Sequence, residues 1–234
     1  LTFDEWVVLN DPANQILISP PMLTKPEVKI KQKSVVLKFK EELQPNTTYT
    51  IQFGESVRDF TENNPAQNLR FVFSTGPELD SLSFSGQVID ALTAAPVEKV
   101  WVMLYDGTDD SLPYKERPLY IAKTNSSGAF SFENLREGNF KMFALTDNNN
   151  NYRYDQQGEK IGFQEELLSL NDSSRVSARI RLFEEEKPMK IVQSKLVAKN
   201  KIRVQFNQNV SNSIIIKSQD VEGINKKKKD SLLF

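Results

Sequence analysis

The segment from Ser85 to Gly138 limits what this chain can fold into more than any other stretch. It opens with Ser85-Gly86-Gln87-Val88-Ile89-Asp90, passes Pro96, and enters the alternating run Val100-Trp101-Val102-Met103-Leu104-Tyr105. It then reaches Thr124-Asn125-Ser126-Ser127-Gly128-Ala129-Phe130-Ser131-Phe132 and Asn134-Leu135-Arg136-Glu137-Gly138. Short runs of β-branched and aromatic residues fit a pleated, half-buried surface. Gly128 supplies a positive φ that β-branched residues resist. A strand opening on Gly, a turn carrying Pro, a second strand and a Gly-turned hairpin predict a small β-sandwich.

The same grammar runs through residues 1–77. Ile16-Leu17-Ile18-Ser19 and Val35-Val36-Leu37-Lys38-Phe39 are short strands separated by Pro20-Pro21 and Pro26. Tyr49-Thr50-Ile51-Gln52-Phe53 alternates after the turn Pro45-Asn46-Thr47, and Leu69-Arg70-Phe71-Val72-Phe73 ends at Ser74-Thr75-Gly76-Pro77. Strands at about ten-residue spacing with turn signals between them indicate a sandwich. Phe140-Lys141-Met142-Phe143-Ala144-Leu145 and Val176-Ser177-Ala178-Arg179-Ile180-Arg181-Leu182 alternate as half-buried strands of the next module. Glu184-Glu185-Glu186-Lys187-Pro188 reads as a linker, after which Lys201-Ile202-Arg203-Val204-Gln205-Phe206 and Ser213-Ile214-Ile215-Ile216 begin a third module. The expected architecture is all-β, with sandwiches over 1–77 and 78–184 and a partial module over 185–234.

Composition excludes several function classes. The chain has neither Cys nor His, which removes disulfides, thiolate nucleophiles, Cys/His zinc sites, the Ser-His-Asp arrangement and any imidazole base. Net charge is −1 with scattered basic residues, so the footprint of a nucleic-acid binder is missing. No apolar stretch approaches the length of a spanning helix. The opening Leu1-Thr2-Phe3-Asp4 is already strand-like, which reads as a chain whose start has been removed.

Phe3-Asp4-Glu5, Ile18-Ser19-Pro20, Leu43-Gln44-Pro45-Asn46-Thr47-Thr48-Tyr49, Asp59 with Asn63-Asn64, and Phe73-Ser74-Thr75-Gly76 together resemble the bacterial Ig-like domain of the S-layer-protein type. Gly86-x-Val88-x-Asp90, Pro96, Val100-x-Val102, Thr124 with Gly128-x-Phe130, and Leu135-x-x-Gly138 resemble the carboxypeptidase regulatory-like, or transthyretin-like, sandwich. In that family the module is a non-catalytic attachment. The order of the two resembles Ig-like-domain proteins of Bacteroidetes that are predicted surface lipoproteins. The resemblance implies a fold and a lineage, and it is nearly silent on activity.

The sharpest candidate site is Asp147-Asn148-Asn149-Asn150-Asn151-Tyr152-Arg153-Tyr154-Asp155, followed by Gly158-Glu159. Oxygen-bearing side chains at Asp147, Asn149, Asn151 and Asp155, with a carboxylate at Glu159, have the spacing with which a loop curls around a hard cation such as Ca²⁺. The run resembles the calcium loops of bacterial B-type repeats. It departs where Tyr152 replaces the Gly of the sharp bend and where Glu159 comes one residue late. Two readings stay open: a weak calcium site, and an Asn-rich hairpin whose amides bond their own backbone.

Other constellations say less. Asp59, Glu62, Asn63 and Asn64 read as a turn before the last strand of the first module. Asp4 and Glu5 beside Trp6 raise glycosidase chemistry, but nothing in the sequence sets a second carboxylate at a defined separation. Asp80-Ser81-Leu82, Asp110-Ser111-Leu112 and Asp230-Ser231-Leu232 resemble a short acceptor motif for O-linked glycans on exported Bacteroidetes proteins, and are equally plain turn chemistry. Lys226-Lys227-Lys228-Lys229 reads as a solvated hairpin tip, and Trp101 as core.

The sequence therefore leads to a non-catalytic structural or adhesion protein of the cell surface or periplasm. It is expected as an outer-membrane lipoprotein anchored through a missing N-terminus, monomeric, needing no cofactor beyond weak calcium. Expected partners are other surface proteins or glycans, with no nucleic acid. The competing reading is a carbohydrate- or peptide-binding module of a nutrient-capture system, which an aromatic-lined groove would favour.

Overall fold

The structure, a computed structural model, describes residues 1–171, 177–185, 190–198 and 201–207. Strand-forming segments separated by turn residues give short strands throughout, and the pattern of inward residues builds three separate hydrophobic clusters. Residues Leu1–Glu185 form one compact unit, and a second begins at Glu186.

The first 77 residues contain β1 (Val7–Leu9), the one-turn helix α1 (Pro12–Gln15), β2 (Leu17–Ser19), β3 (Glu27–Lys31), β4 (Ser34–Lys38), β5 (Thr48–Gln52), β6 (Val57–Asp59) and β7 (Arg70–Ser74). They pair as β2-β5-β7, β3-β4 and β1-β6, all antiparallel. Their core gathers Val7, Ile18, Val35, Tyr49, Ile51, Phe53 and Val57. Tyr49 stacks on Phe73 at 5.4 Å and its hydroxyl accepts the Gln44 amide at 2.9 Å, so the turn before β5 is fixed by the strand that follows it.

The next stretch contains β8 (Leu82–Asp90), β9 (Trp101–Tyr105), the one-turn helix α2 (Leu112–Lys115), β10 (Tyr120–Lys123), β11 (Ala129–Leu135), β12 (Gly138–Leu145), β13 (Lys160–Phe163), β14 (Leu168–Leu170) and β15 (Ser177–Glu184). Strand order is β10-β9-β12-β13-β15-β8-β11, with β14 beside β12. Only the β15–β8 pair is parallel among the described residues. The alternation of β9 divides its side chains in two. Val102 and Leu104 enter the sandwich interior with Phe84, Val88, Phe140 and Ile180. Trp101, Met103 and Tyr105 enter a second cluster on the opposite face with Ile121, Phe143 and Leu145. Every residue of β9 is buried.

Gly128 carries the expected backbone role, and Gly86 has one that the sequence did not signal. Gly128 has φ +70°, which an L side chain rarely adopts. Gly86 needs its missing Cβ for another reason: that atom would run into the Ala178 carbonyl oxygen and the Phe130 ring. The glycine at the middle of β8 thus lets two neighbouring strands and an aromatic ring close over it.

The strands read from sequence are present with ends shifted by a residue or so. Tyr120 opens β10, and Tyr114 lies in α2. Val176, the 186–188 part of the linker, Ser213–Ile216, the four-lysine run and the third Asp-Ser-Leu motif lie outside the described residues. In the second unit, β16 (Ile191–Ala198) and β17 (Lys201–Phe206) form an antiparallel hairpin closed by Lys190 and Asn207, which exchange hydrogen bonds at 2.8 and 3.1 Å. Ile191, Val192, Leu196, Val197 and Ile202 of this hairpin are exposed.

Adding a methyl group at the crowded β8 position should overpack the sandwich. Gly86→Ala is expected to lower stability by roughly 1–3 kcal/mol, read as a reduced urea midpoint at unchanged m-value. Ser83→Ala, at an exposed position of the same strand, should leave the midpoint nearly unchanged.

Candidate functional site at the asparagine-rich loop

Strands β12 and β13 are joined by the loop 146–159, and the structure brings all five sequence-identified residues into it. Its base is closed by Thr146 and Lys160. The Thr146 amide donates to the Lys160 carbonyl at 3.0 Å, and the Lys160 amide donates to Thr146 Oγ1 at 2.6 Å. Above that base the backbone curls back and would leave its N–H groups unpaired, so the side chains must supply acceptors. Asp147 accepts from the amides of Asn151 (3.3 Å) and Tyr152 (2.7 Å). Asn149 accepts from Asn151 N at 3.1 Å, and Asn151 accepts from Arg153 N at 2.8 Å. The Asp155 carboxylate takes the side-chain amides of Asn149 (3.2 Å) and Asn151 (2.7 Å).

Glu159 is fully buried beneath the loop. It accepts from the backbone amides of Asn148 (3.1 Å), Asp155 (3.1 Å) and Gln156 (2.9 Å). The residue that comes one position late for a calcium loop therefore faces inward and ties both limbs of the loop together. The other departure has a different outcome. Tyr152 adopts φ +60° and Asn150 φ +57°, so the bend forms without glycine. For a bulky residue this conformation costs about 1–3 kcal/mol. Its ring packs edge-on against Trp101 at 5.1 Å and joins the outer hydrophobic cluster, which offsets that cost.

The loop's oxygens serve its own amides, and among the described residues no group of three or more acidic side chains is placed to share a metal ion. Its phenols are not bases. Burial pushes Tyr154 up to about 12 and raises Tyr152 as well, along with Tyr105 of β9 in the same apolar cluster, so all three stay protonated at neutral pH. Tyr154 packs against Tyr114 and its amide donates to the Pro113 carbonyl at 2.9 Å, which fastens the loop to α2.

A second acidic group assembles where the sequence left it scattered. The neighbouring Asp59 carboxyl, with the charges of Asp4 and Glu62, raises the Glu5 carboxyl above its usual range. Asp59 is held low, because it accepts the Glu62 and Thr61 amides at 2.6 Å each. This is the expected turn with a carboxylate pair added by β1–β6 pairing. Beside them Trp6 and Phe60 are exposed, joined through the Phe60 amide and the Trp6 carbonyl at 2.9 Å. Trp101, by contrast, is core.

Residues 1–75 match the family model of the bacterial Ig-like domain. The match ends just past β7 and encloses the whole first cluster of core residues. A comparison with curated proteins returns no match.

Glu159→Ala should remove the buried acceptor shared by the Asn148, Asp155 and Gln156 amides and lower the thermal midpoint, by about 0.5–1.5 kcal/mol for each lost bond because these three residues lie at the surface where water can replace it. Glu159→Gln, which keeps one acceptor oxygen, should lose less. The loop base also titrates. Lys160 donates to Asp90 at 3.0 Å, and this bond, with the Thr93 and Leu92 amides, holds the Asp90 carboxyl well below its ordinary value. A carboxyl depressed in the folded state stabilises above its unfolded value of about 4, and that contribution is lost as pH falls through the folded value. Asp90→Asn should therefore melt below the parent protein at pH 7, and the gap should narrow progressively below about pH 4.

Proposed function

We propose that this chain is a non-catalytic structural or adhesion protein of the bacterial cell surface, in which two β-sandwich modules act as one stiff strut. The observation that carries this reading is the fixing of the connection at Asp80. Its backbone N–H donates to Thr48 Oγ1 of β5 at 2.9 Å, and its carbonyl accepts from Asn134 Nδ2 of β11 at 3.0 Å. One peptide group on each side of Asp80 is thus held by a different module. Around it, Thr50 donates to Asn134 at 3.4 Å, Arg70 pairs with Glu133, the Ile121 amide donates to Ser19 Oγ at 3.2 Å, and Arg117 donates to the Met22 carbonyl at 2.8 Å. Domains joined by a plain linker move by default. Here the connection is braced.

The proposal keeps 1–77, 78–184 and 185–234 as the modules and takes the second as carboxypeptidase regulatory-like. Support for that comes from the β8–β12 sandwich with its positive-φ Gly128. Anchoring as an outer-membrane lipoprotein of a Bacteroidetes cell and a monomeric state belong to the same reading. No helix among the described residues is long and apolar enough to cross a membrane. The carbohydrate-binding alternative is favoured by one observation, the exposed pair Trp6 and Phe60, since aromatic faces can stack on sugar rings. The large groove of about 1020 Å³ on the module boundary is lined instead by amides such as Gln52, Gln67, Asn68 and Asn125.

Calcium at loop 146–159 remains part of the proposal as a weak brace. An ion there must compete with hydrogen bonds the loop makes to itself, so its increment is small. Millimolar Ca²⁺ against chelator at constant ionic strength should raise the melting temperature slightly, and the rise should vanish in Asp147→Ala and Asp155→Ala. A rise that persists in both variants would mean that the ion binds elsewhere.

The strut itself is tested by Asn134→Ala, which removes the Asp80 and Thr50 contacts together. Limited proteolysis should then cut within residues 76–81, where the parent protein resists, and small-angle scattering should report a broader distribution of shapes. Equal resistance in parent and variant would remove the brace from the account. Across glycoside, ester and peptide substrates the protein should show no turnover. Turnover abolished by replacing a single Asp, Glu or Lys would overturn the non-catalytic reading.

A further inference from the structure

Where the start of the first module meets loop 146–159, the chain encloses a cleft of about 260 Å³. Its walls from the first module are largely apolar, with Ile16, Ile18, Met22, Pro26 and Val28 among them. The second module closes it with Arg117, Asn150 and Tyr152. The two loop residues on this wall are the pair held at positive φ. Strained backbone of this kind is retained where the surrounding structure dictates it, and ligand clamps are among the places where it recurs.

Charge separates this cleft from the other grooves. Lys25 and Arg117 both line it. Lys25 Nζ donates to the Ala13 carbonyl at 2.6 Å and Arg117 to the Met22 carbonyl at 2.8 Å. Among the described residues neither stands within ion-pair distance of a carboxylate. An ammonium has three donors and a guanidinium five, so each retains hydrogen-bonding capacity beyond its one carbonyl. Lys123, seated 4.7 Å over the Trp101 ring behind Tyr152, adds positive potential, and the nearest acidic loop residue, Asp147, is occupied by the amides of Asn151 and Tyr152.

We propose that this cleft binds a small apolar carboxylate, a short aliphatic or aryl chain ending in one anionic group. Ile16, Ile18 and Val28 would cover the apolar body, with Arg117 and Lys25 taking the carboxylate at the rim. Size sets the limit on the body, because the cleft is slightly smaller than the roughly 300–1,000 Å³ of drug-sized pockets. The planar fork of Arg117 matches a carboxylate in two parallel hydrogen bonds. This site rests on the strut reading in that its two walls come from the two modules and the Arg117–Met22 bond is also a brace, but proteolysis and scattering report the brace while the titration below reports the site.

The experiment titrates 4-phenylbutyrate, and in parallel 4-phenylbutan-1-ol, into the full chain. Calorimetry and amide chemical shifts report occupancy, and Trp101 emission provides a third readout through its contact with Tyr152. The acid should bind saturably and the alcohol about tenfold more weakly, the value of one charge-assisted hydrogen bond. Arg117→Gln should weaken the acid about tenfold without affecting the alcohol, and Lys25→Gln should weaken it less. Shifts should cluster at residues 16–28, 117 and 150–152. Because Arg117→Gln also loses the Met22 contact, Ala13→Trp provides a second block, filling the cleft from an exposed helical position with both cations intact. Equal affinity for acid and alcohol, binding that survives Ala13→Trp, or no saturable binding up to about 10 mM would each overturn the proposal.

Discussion

The burial of β9, β10 and β12 on both faces is the constraint on which the rest of the first unit depends. An antiparallel sheet can leave one face in water, with apolar and polar residues alternating along each strand. These strands do not alternate in that sense. Val102, Leu104, Tyr120, Ala122, Phe140 and Met142 fill the sandwich interior, while Trp101, Met103, Tyr105, Ile121, Phe143 and Leu145 form an apolar layer behind it. That second layer needs its own cover. Leu112 of α2, Tyr152 and Tyr154 of loop 146–159, and Leu17 from the first module supply it. The loop, the one-turn helix and the module contact are thus parts of one solution to the same exposed sheet face.

Covering a sheet with irregular backbone creates a second requirement. A helix or strand satisfies its own amides, whereas a loop lying on apolar side chains has to find acceptors locally. Short oxygen-bearing side chains are the residues that reach back to their own backbone. Asp147, Asn149, Asn151 and Glu159 do so here, and Asp155 holds two of the asparagine side chains. The composition that resembles a cation loop is also the one that a self-satisfied cover demands. The shared requirement is oxygen atoms pointing into a tight curl.

This overlap explains where the sequence could be read and where it could not. The strands around Val35, Ile51, Val102 and Met142 were legible, because β-branched and aromatic runs between turn residues depend only on near neighbours in the chain. The expectation that Phe140–Leu145 is half-buried was wrong, because a second apolar layer covers the outer face of β12. Strands β1, β6 and β13 were not, because three or four residues carry too little pattern to stand above their surroundings. The five loop residues were legible as a group, and their partners were not. Whether an Asn oxygen faces a cation or an amide depends on φ at Asn150 and Tyr152, and on Trp101 some fifty positions earlier receiving the Tyr152 ring. The Glu5–Asp59 contact had no sequence signal at all, since it arises from the register that sets Val7 opposite Asp59. The cleft was invisible for the same reason, its walls coming from residues 12–28, 117 and 150–152.

The connection between β7 and β8 is held through its backbone groups. Six residues from Gly76 to Ser81 would allow wide motion if their backbone groups were solvated. Ser74 Oγ instead takes the Gly76 amide at 3.0 Å, and the peptide groups flanking Asp80 are held by Thr48 on one side and Asn134 on the other. Asn134 meets this role from a left-handed conformation, φ +58°, at an irregularity in the β11–β8 ladder between Phe132 and Leu135. A regular strand would point that amide along the sheet normal with its neighbours. The irregularity re-aims it toward the linker, which is a recognised use of a break in strand pairing. Threonines 48 and 50 complete the arrangement from β5, where the Tyr49 and Ile51 side chains face their own core and the hydroxyls face the neighbouring module. The hydrogen bonds at this joint therefore come from strand alternation on one side and a strand irregularity on the other, and Leu17 of β2 adds an apolar contact to the outer cluster.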